Sequence, residues 1–406
     1  MAVAYPGLPV LLPVAGVRVA TVAAGIKYAD RRDLVLFELC EGSTVAGVFT
    51  RNAFCAAPVV RSRDHLAEAT PRYWLINTGN ANAGTGEKGA QDALHTCEQL
   101  AKVAGCATNQ VLPFSTGVIG EPLPVAKIVA AMPKLLGALT ADGWKDAAHG
   151  IMTTDTVPKG ATREVVIGGK TVRFTGISKG AGMIRPNMAT MLGFVACDAA
   201  VEASTLQLAL SRAADKSFNC ITIDGDTSTN DSCMLVATGR AGNALIDDHN
   251  SDDYAIFEET LISICEELAK LIVRDGEGAT KFITVNVNQG INEVECEEIA
   301  YAIAHSPLVK TAFFASDPNW GRILAAIGRA NVPALDLDTI DVYLDDVCIV
   351  RNGGRAADYT EQAGQTVMKR QEITIRVELG RGSMSATVWT CDFSYDYVRI
   401  NAEYRS

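Results

Sequence analysis

Histidine is scarce in this sequence, and its cysteines show no metal-site or redox spacing. The five histidines are dispersed, at positions 65, 95, 149, 249 and 305. Neither a zinc site nor a Ser-His-Asp triad therefore has support. The 11 cysteines are odd in number and contain no Cys-x-x-Cys pair, a pattern typical of reduced, buried thiols in a cytoplasmic protein. We predict no metal site and a cytoplasmic location.

Clustered positive charge and long apolar runs are also missing. The net charge is -11, and no run of Lys and Arg occurs, which argues against a nucleic-acid surface. No uninterrupted apolar stretch reaches about 18 residues, so we expect no membrane span. The apolar N-terminus lacks a basic region and is interrupted by three prolines, unlike a signal peptide. The expected partners are small molecules or protein.

The composition is that of a folded protein of more than one unit. Hydrophobic residues make up 48% and charged residues 20% of the 406, which is ordinary for a globular chain of two domains. Apolar periodicity predicts a helix from about Ala90 to Val103 and further helices in "LPVAKIVAAMPKLLGAL", "STLQLALSRAADKSF" and "DDYAIFEETLISICEELAKLIVRDG". After "KFITVNVN" the pattern changes, which indicates a second α+β unit beginning near residue 285.

Two segments imitate binding motifs. "GTGEKG" at 84–89 matches G-x-G-x-x-G, but no acidic residue follows about 20 positions later, and we predict a loop that begins a helix. "DGDTSTND" at 224–231 resembles a calcium loop, yet Thr229 and Leu235 replace the required Gly and Glu. We predict an acidic turn after a strand at "NCITI".

The segment "SKGAGMIRPNMATMLGFV" at 178–195 leads one hydroxyl, Thr190, from a glycine-rich loop into a buried strand. The sequence offers no obvious histidine base. A nucleophilic Thr can instead use its own α-amino group as the base once it is an N-terminus, because the ordinary pKa of an α-amino group is about 7.7 to 8.0. Attack on the preceding carbonyl would shift the acyl group from N to O and free that terminus. A core strand with a tolerated Thr is the alternative, and the residues alone favour it.

The same segment, "KGAGMIRPNMATMLGF", resembles the self-cleavage signature of the ornithine acetyltransferase family, the bifunctional glutamate N-acetyltransferases of arginine biosynthesis. In that family the bond before the Thr of Met-Ala-Thr-Met-Leu is cut. Further blocks occur in the family's order along nearly the whole chain. They are "NTGNANAGTG" at 77–86, "PFSTGVIGE" at 113–121, "MTTDTVPK" at 152–159, "DGDTSTNDS" at 224–232, "RDGEGATKF" at 274–282, "SDPNWGRI" at 316–323 and "RINAEYRS" at 399–406.

The resemblance implies roles for individual residues. Cleavage falls between Ala189 and Thr190, and Thr190 is the nucleophile in self-cleavage and in catalysis. Thr116 and Gly117 match the oxyanion hole, through a hydroxyl and a backbone N–H. The positions that match substrate contacts are Thr153, Lys179, Thr190, Glu277, Asn401 and Ser406. Lys179 suits the α-carboxylate of a substrate, and Glu277 suits the side-chain amine of ornithine.

The implied fold is α+β, with stacked β-sheets flanked by helices as in self-cleaving N-terminal-nucleophile-like acyltransferases, plus a smaller α/β domain. Self-cleavage would give an α chain, 1–189, and a β chain, 190–406. The β chain would hold a catalytic strand region at 190–284, a smaller α+β unit at about 285–385, and a C-terminal segment, 386–406, that returns to the site. The implied assembly contains two α and two β chains.

The implied activity is transfer of the acetyl group of N2-acetylornithine to glutamate through an acetyl-Thr intermediate, without a cofactor. Three alternatives stay open. A self-cleaving aminopeptidase or amidase would use the same nucleophile but admit water. A bifunctional enzyme would also accept acetyl-CoA as a donor. A silent relative would keep the fold without the reactivity, which the presence of Thr190, Thr116 and Gly117 together argues against.

Overall fold

The described residues, 2–185 and 191–403 in this computed structural model, fold into two units. The larger unit comprises residues 7–219 and 226–272, without the undescribed positions. The smaller unit comprises residues 2–6, 220–225 and 273–403. The predicted division of the chain at Ala189 and Thr190 falls on residues outside the described ranges and stays a prediction.

The chain contains both strands and helices along its length. The strands are β1 (Val17–Val22), β2 (Leu34–Leu39), β3 (Thr44–Phe49), β4 (Tyr73–Asn80), β5 (Val111–Val118), β6 (Lys159–Ile167), β7 (Lys170–Lys179), β8 (Leu192–Cys197), β9 (Ser232–Ala237), β10 (Phe282–Gly290), β11 (Asp341–Leu344), β12 (Val347–Arg351), β13 (Gly354–Arg355), β14 (Glu372–Glu378) and β15 (Met384–Cys391). The helices are α1 (Ala57–Glu68), α2 (Gly86–Ala104), α3 (Val125–Gly137), α4 (Trp144–Gly150), α5 (Ala203–Asp215), α6 (Asp252–Arg274), α7 (Glu293–Ala304), α8 (Pro307–Phe314), α9 (Trp320–Gly328), α10 (Glu361–Met368) and α11 (Tyr395–Ala402).

Two sheets stack in the larger unit. One has the strand order β1-β2-β4-β5 and the other β3-β9-β8-β7-β6. All six residues of β8 are buried, and its Phe194 lies between the sheets, 5.5 Å from Phe37, 5.7 Å from Trp74 and 5.2 Å from Phe114, measured between ring centroids. A strand buried on both faces reads as a continuous apolar run, which explains the sequence "LGFVAC".

Helices cover the outer faces of both sheets. Apolar residues of α2 and α3 pack with β1, β2 and β4 in one cluster that includes Leu100 and Met132. On the other sheet Phe257 of α6 contacts Phe174 of β7, with ring centroids 5.3 Å apart, and α5 packs against β3. The predicted α+β architecture of stacked sheets flanked by helices is confirmed.

The smaller unit is a six-stranded mixed sheet with the order β13-β12-β11-β14-β10-β15. β10 pairs in parallel with β14 and antiparallel with β15. Helices α7, α9 and α10 contribute to its core, where Ile299, Ile327 and Met368 are buried against the sheet. This core is separate from that of the larger unit.

The predicted helices are confirmed, whereas one predicted strand is wrong. The helix expected from Ala90 to Val103 is α2, and the other three expected helices are α3, α5 and α6. The segment "NCITI" forms a short 3-10 helix, Phe218–Cys220, followed by a single bridge from Ile221 to Trp389. Its alternating pattern reflects burial of Ile221 and Ile223. Within the described ranges, one bridge and no ladder pairs this segment with a neighbouring strand.

All 11 cysteines are free thiols. Burial raises the pKa of Cys97 and of Cys233 to about 12, so neither forms a thiolate near neutral pH. Among the described residues, no helix is long and apolar enough to cross a membrane.

Candidate active site

Gly117 marks the C-terminal end of β5, where the strand lies unusually close to β4. Its φ is +140°, a conformation that L residues rarely adopt. A Cβ atom at this position would lie 2.3 Å from the backbone carbonyl carbon of Gly79 and 2.5 Å from the backbone nitrogen of Asn80. Only glycine therefore fits.

Thr116 lies directly before this glycine and is almost fully buried. Its Oγ1 accepts a hydrogen bond from Lys179 Nζ at 3.2 Å. Thr116 belongs to one sheet and Lys179 to the other, so this bond joins the two sheets at one end of the stack. A hydroxyl that accepts a bond from an ammonium still has its own proton to donate, as an oxyanion hole requires.

Lys179 is the last residue of β7 and pairs with Leu192, the first residue of β8. The next residue, Gly180, has φ +153°, a backbone conformation that favours glycine. Met191 precedes β8, and its carbonyl accepts a hydrogen bond from the N–H of Ser232 at 2.9 Å. Ala189 and Thr190 themselves lie outside the described residues.

Thr153 lies on the segment between α4 and β6 and is half-buried. Arg31 donates hydrogen bonds to the backbone carbonyls of Met152 at 2.5 Å and Thr153 at 3.0 Å. The Thr153 N–H donates to Asp155 Oδ2 at 2.9 Å. The peptide groups on both sides of Thr153 are therefore held by hydrogen bonds to side chains.

Asp155 connects this segment to Lys179, and sequence reasoning missed it. Its Oδ1 accepts hydrogen bonds from Lys159 Nζ and from the Gly180 N–H, both at 2.7 Å. Burial alone would raise the pKa of Asp155, but the positive charges of Lys159 and Lys179 hold it well below the ordinary value. The sequence signal for this residue was the pair of opposite charges, Asp155 and Lys159, in the block "MTTDTVPK". Within that block only Thr153 had been assigned a role.

The smaller unit holds Glu277 and Asn401, two of the predicted substrate contacts. Glu277 is 7% exposed, and its Oε2 accepts a hydrogen bond from Asn401 Nδ2 at 2.8 Å. The loop that carries Glu277 is tied to the start of α11, because Ser394 Oγ donates to the Gly278 carbonyl at 2.6 Å. Ser406 lies outside the described residues.

The structure thus forms two groups of predicted site residues. Thr116, Gly117 and Lys179 lie together in the larger unit, and Thr153 is joined to them through Asp155. Glu277 and Asn401 form a pair in the smaller unit. In the described ranges, no group of three or more His, Cys, Asp or Glu side chains is placed to hold a metal ion.

A buried hydroxyl and a glycine amide, beside an ammonium at one end of two stacked sheets, are groups of the kind that can stabilise a developing oxyanion. Fold and site together define an α+β enzyme of the acyl-transfer class. The chain belongs to the ArgJ family, which it matches over residues 18–406. This result confirms the family resemblance read from the sequence blocks.

Two proteins of this family, both from Pseudomonas, are similar along the whole chain. The arginine biosynthesis bifunctional protein ArgJ of Pseudomonas fluorescens is 57% identical over 406 residues, covering 100% of both chains. The same-named protein of Pseudomonas syringae pv. tomato is 58% identical, again over 100% of both. The crystal structure of the protein of that name from Bacillus halodurans is 40% identical, with a TM-score of 0.48, and the match covers 50% of this chain and 95% of that chain.

Proposed function

We propose that this chain is a self-processing acetyltransferase of arginine biosynthesis that moves the acetyl group of N2-acetylornithine to glutamate. Full-length identity of 57% and 58% to arginine biosynthesis bifunctional proteins supports the activity. The observation that carries the site assignment is the Thr116 to Lys179 hydrogen bond beside Gly117. It brings the candidate oxyanion donors together with a cation, Lys179, at the end of the strand that precedes the cleavage segment in the sequence.

Self-processing begins when Thr190 Oγ attacks the carbonyl carbon of Ala189. The C–N bond breaks as the acyl group moves to oxygen, and the Thr190 nitrogen becomes a free α-amine. Water then hydrolyses the ester, giving chains 1–189 and 190–406. The new α-amine is the base that the histidine-poor sequence otherwise lacks. Two copies of each chain form the proposed assembly, in the cytoplasm.

In the transfer reaction the α-amine takes the proton of Thr190 Oγ while that oxygen attacks the acetyl carbonyl. The Thr116 hydroxyl and the Gly117 N–H stabilise the negative oxygen of the tetrahedral intermediate. Ornithine leaves with its amine protonated, and an acetyl ester remains on Thr190. The amine of glutamate then attacks this ester, which yields N-acetylglutamate and restores the threonine. The protein's own groups suffice, so no metal or organic cofactor is proposed.

Charge decides how the substrates are bound. Lys179 pairs with the α-carboxylate, which both N2-acetylornithine and glutamate carry, and the Thr153 hydroxyl donates a hydrogen bond to the same group. Glu277, held by Asn401, pairs with the side-chain ammonium of ornithine, and Ser406 completes the contacts at the C-terminus. The relatives are named bifunctional, and we propose acetyl-CoA as the donor of a second activity.

The first experiment is the intact mass under denaturing conditions. Scaling 43.1 kDa by 189/406 and 217/406 gives pieces of about 20 and 23 kDa. Wild-type protein should show both masses, with a new N-terminus reading Thr-Met-Leu-Gly. Thr190→Ala should stay uncut and inactive, whereas Thr190→Ser keeps a hydroxyl and should cleave at least in part. Normal turnover by Thr190→Ala would refute the mechanism.

Separate assays with each donor then define the reaction. Labelled N2-acetylornithine should yield labelled N-acetylglutamate only when glutamate is present. Release of labelled acetate without glutamate would instead indicate an amidase. Labelled N-acetylglutamate formed from acetyl-CoA and glutamate alone would establish the second donor.

A further inference from the structure

The ion pair between Asp155 and Lys159 lies in the interior of the larger unit. Both side chains are 0% exposed, and Lys159 Nζ lies 2.7 Å from Asp155 Oδ1. Removing two charges from water is costly, and a buried ion pair is often no more stable than well-packed apolar residues in its place. Fold stability alone therefore does not explain why these two charges are buried here.

The hydrogen bonds of Asp155 indicate what the pair does. One carboxylate oxygen accepts from the N–H of Gly180, the residue after Lys179, and the other accepts from the N–H of Thr153. Thr153 lies in the segment before β6, and Lys179 ends β7. One rigid, buried group therefore fixes the backbone at two positions that are distant in sequence.

Two lysines lie close enough to Asp155 to act on it electrostatically. They are Lys159, which bonds its carboxylate, and Lys179, which also influences the buried carboxyl group of Asp231. The positive charge of Lys179 helps to lower the pKa of the Asp155 carboxyl group.

We infer that Asp155 is a positioning residue that sets Thr153 and Lys179 in one geometry for the substrate carboxylate. This inference rests on the proposed function, which gives Thr153 and Lys179 their role in binding. Lys159 compensates the buried carboxylate so that it stays ionised and accepts both amide hydrogen bonds. Loss of the carboxylate should therefore weaken substrate binding more than it slows the chemical step.

Paired substitutions test the inference, because removing one charge alone would leave the other buried and unpaired. In D155L/K159M both charges and both acceptors are gone. In D155N/K159M the charges are gone, but one acceptor oxygen remains. A matched control, R163A/E267A, removes an ion pair of the same unit whose side chains are both 35% exposed.

The measurements are kcat and KM for N2-acetylornithine, together with the thermal unfolding temperature and the self-cleaved fraction. We expect D155L/K159M to raise KM by about tenfold or more, the size of one lost hydrogen bond to a charged group, with a smaller change in kcat. D155N/K159M should recover part of that loss. The control should leave both constants within about twofold, as expected for a partly exposed pair.

Two results would overturn the inference. One is an unchanged KM in folded D155L/K159M, and the other is a fall in kcat at constant KM. If D155L/K159M does not fold, D155N/K159M decides alone, because it still lacks one acceptor and a wild-type KM would refute the proposal. Wild-type protein that transfers no acetyl group from N2-acetylornithine would refute the proposed function, and the inference with it.

Discussion

The two groups of candidate site residues are held in very different ways. Thr116, Gly117 and Lys179 lie at the ends of buried strands, where backbone pairing and the core between the sheets determine their positions. Glu277 and Asn401 lie on a loop and on α11, a helix with no buried residue. Side-chain hydrogen bonds, rather than a core, hold the second group.

This difference matches two roles in the proposed reaction, stabilisation of the oxyanion and recognition of the substrate. Oxyanion stabilisation requires donors that are already in place when charge develops, and a sheet end provides such rigidity. Binding of the flexible side-chain ammonium of ornithine does not require its contacts to be held as rigidly. Substitutions of Thr116 and Gly117 should therefore affect stability or kcat, whereas substitutions in the second group should affect KM at unchanged stability.

The largest effect should come from Gly117→Ala. Its methyl group would overlap the backbone of Gly79 and Asn80, so we expect the free energy of unfolding to fall by about 3 kcal/mol or more, with loss of activity. Gly120→Ala is the matched control, since Gly120 also has positive φ but open space around it, and it should cost about 1 kcal/mol. Equal unfolding temperatures for the two variants would contradict the close approach.

A smaller loss, confined to catalysis, should follow Thr116→Ala. One of two oxyanion donors disappears, so kcat should fall by roughly 10²- to 10³-fold while the unfolding temperature changes little. Thr116→Ser retains the hydroxyl and should keep most of the activity. A wild-type kcat in Thr116→Ala, measured on fully cleaved protein, would remove Thr116 from the mechanism.

The smallest effect should come from Asn401→Ala. The Glu277 carboxylate loses one amide donor, and we expect KM for N2-acetylornithine to rise by about three- to tenfold with kcat and unfolding temperature unchanged. Arg399→Ala, on the same helix, removes only an exposed ion pair with Asp396 and should change neither constant. A loss of stability in Asn401→Ala would erase the proposed contrast between the two groups.

Much of the fold was predictable because the local signals agree with the tertiary environment. The apolar spacing of α2 and α6 matches the faces that they bury, and the continuous apolar run of β8 matches its position between two sheets. The strand predicted around Ile221 was wrong because there the local pattern does not match the pairing that forms. Its alternation reflects burial beside β15, and in the part of the chain that the structure describes it forms a single bridge, to Trp389.

The candidate site was only partly predictable. Family blocks pointed to Thr116, Lys179 and Glu277 as separate positions, but no spacing in the sequence indicates that Lys179 bonds Thr116, because they belong to different sheets. Asp155 escaped notice since a carboxylate in a polar loop reads as a solvated charge. Only the folded chain buries it against Lys159 and turns it toward two backbone amides.

The contact between Gly79 and Gly117 limits how such a site can diversify. A methyl group on Gly117 would strike the backbone of β4, and one on Gly79 would lie 2.9 Å from Lys27 Cβ. Neither position offers a viable single mutational step, so adaptation to a bulkier acyl donor cannot begin there. Descendants with a new specificity would have to vary the side chains around Gly79 and Gly117 and keep these two glycines unchanged.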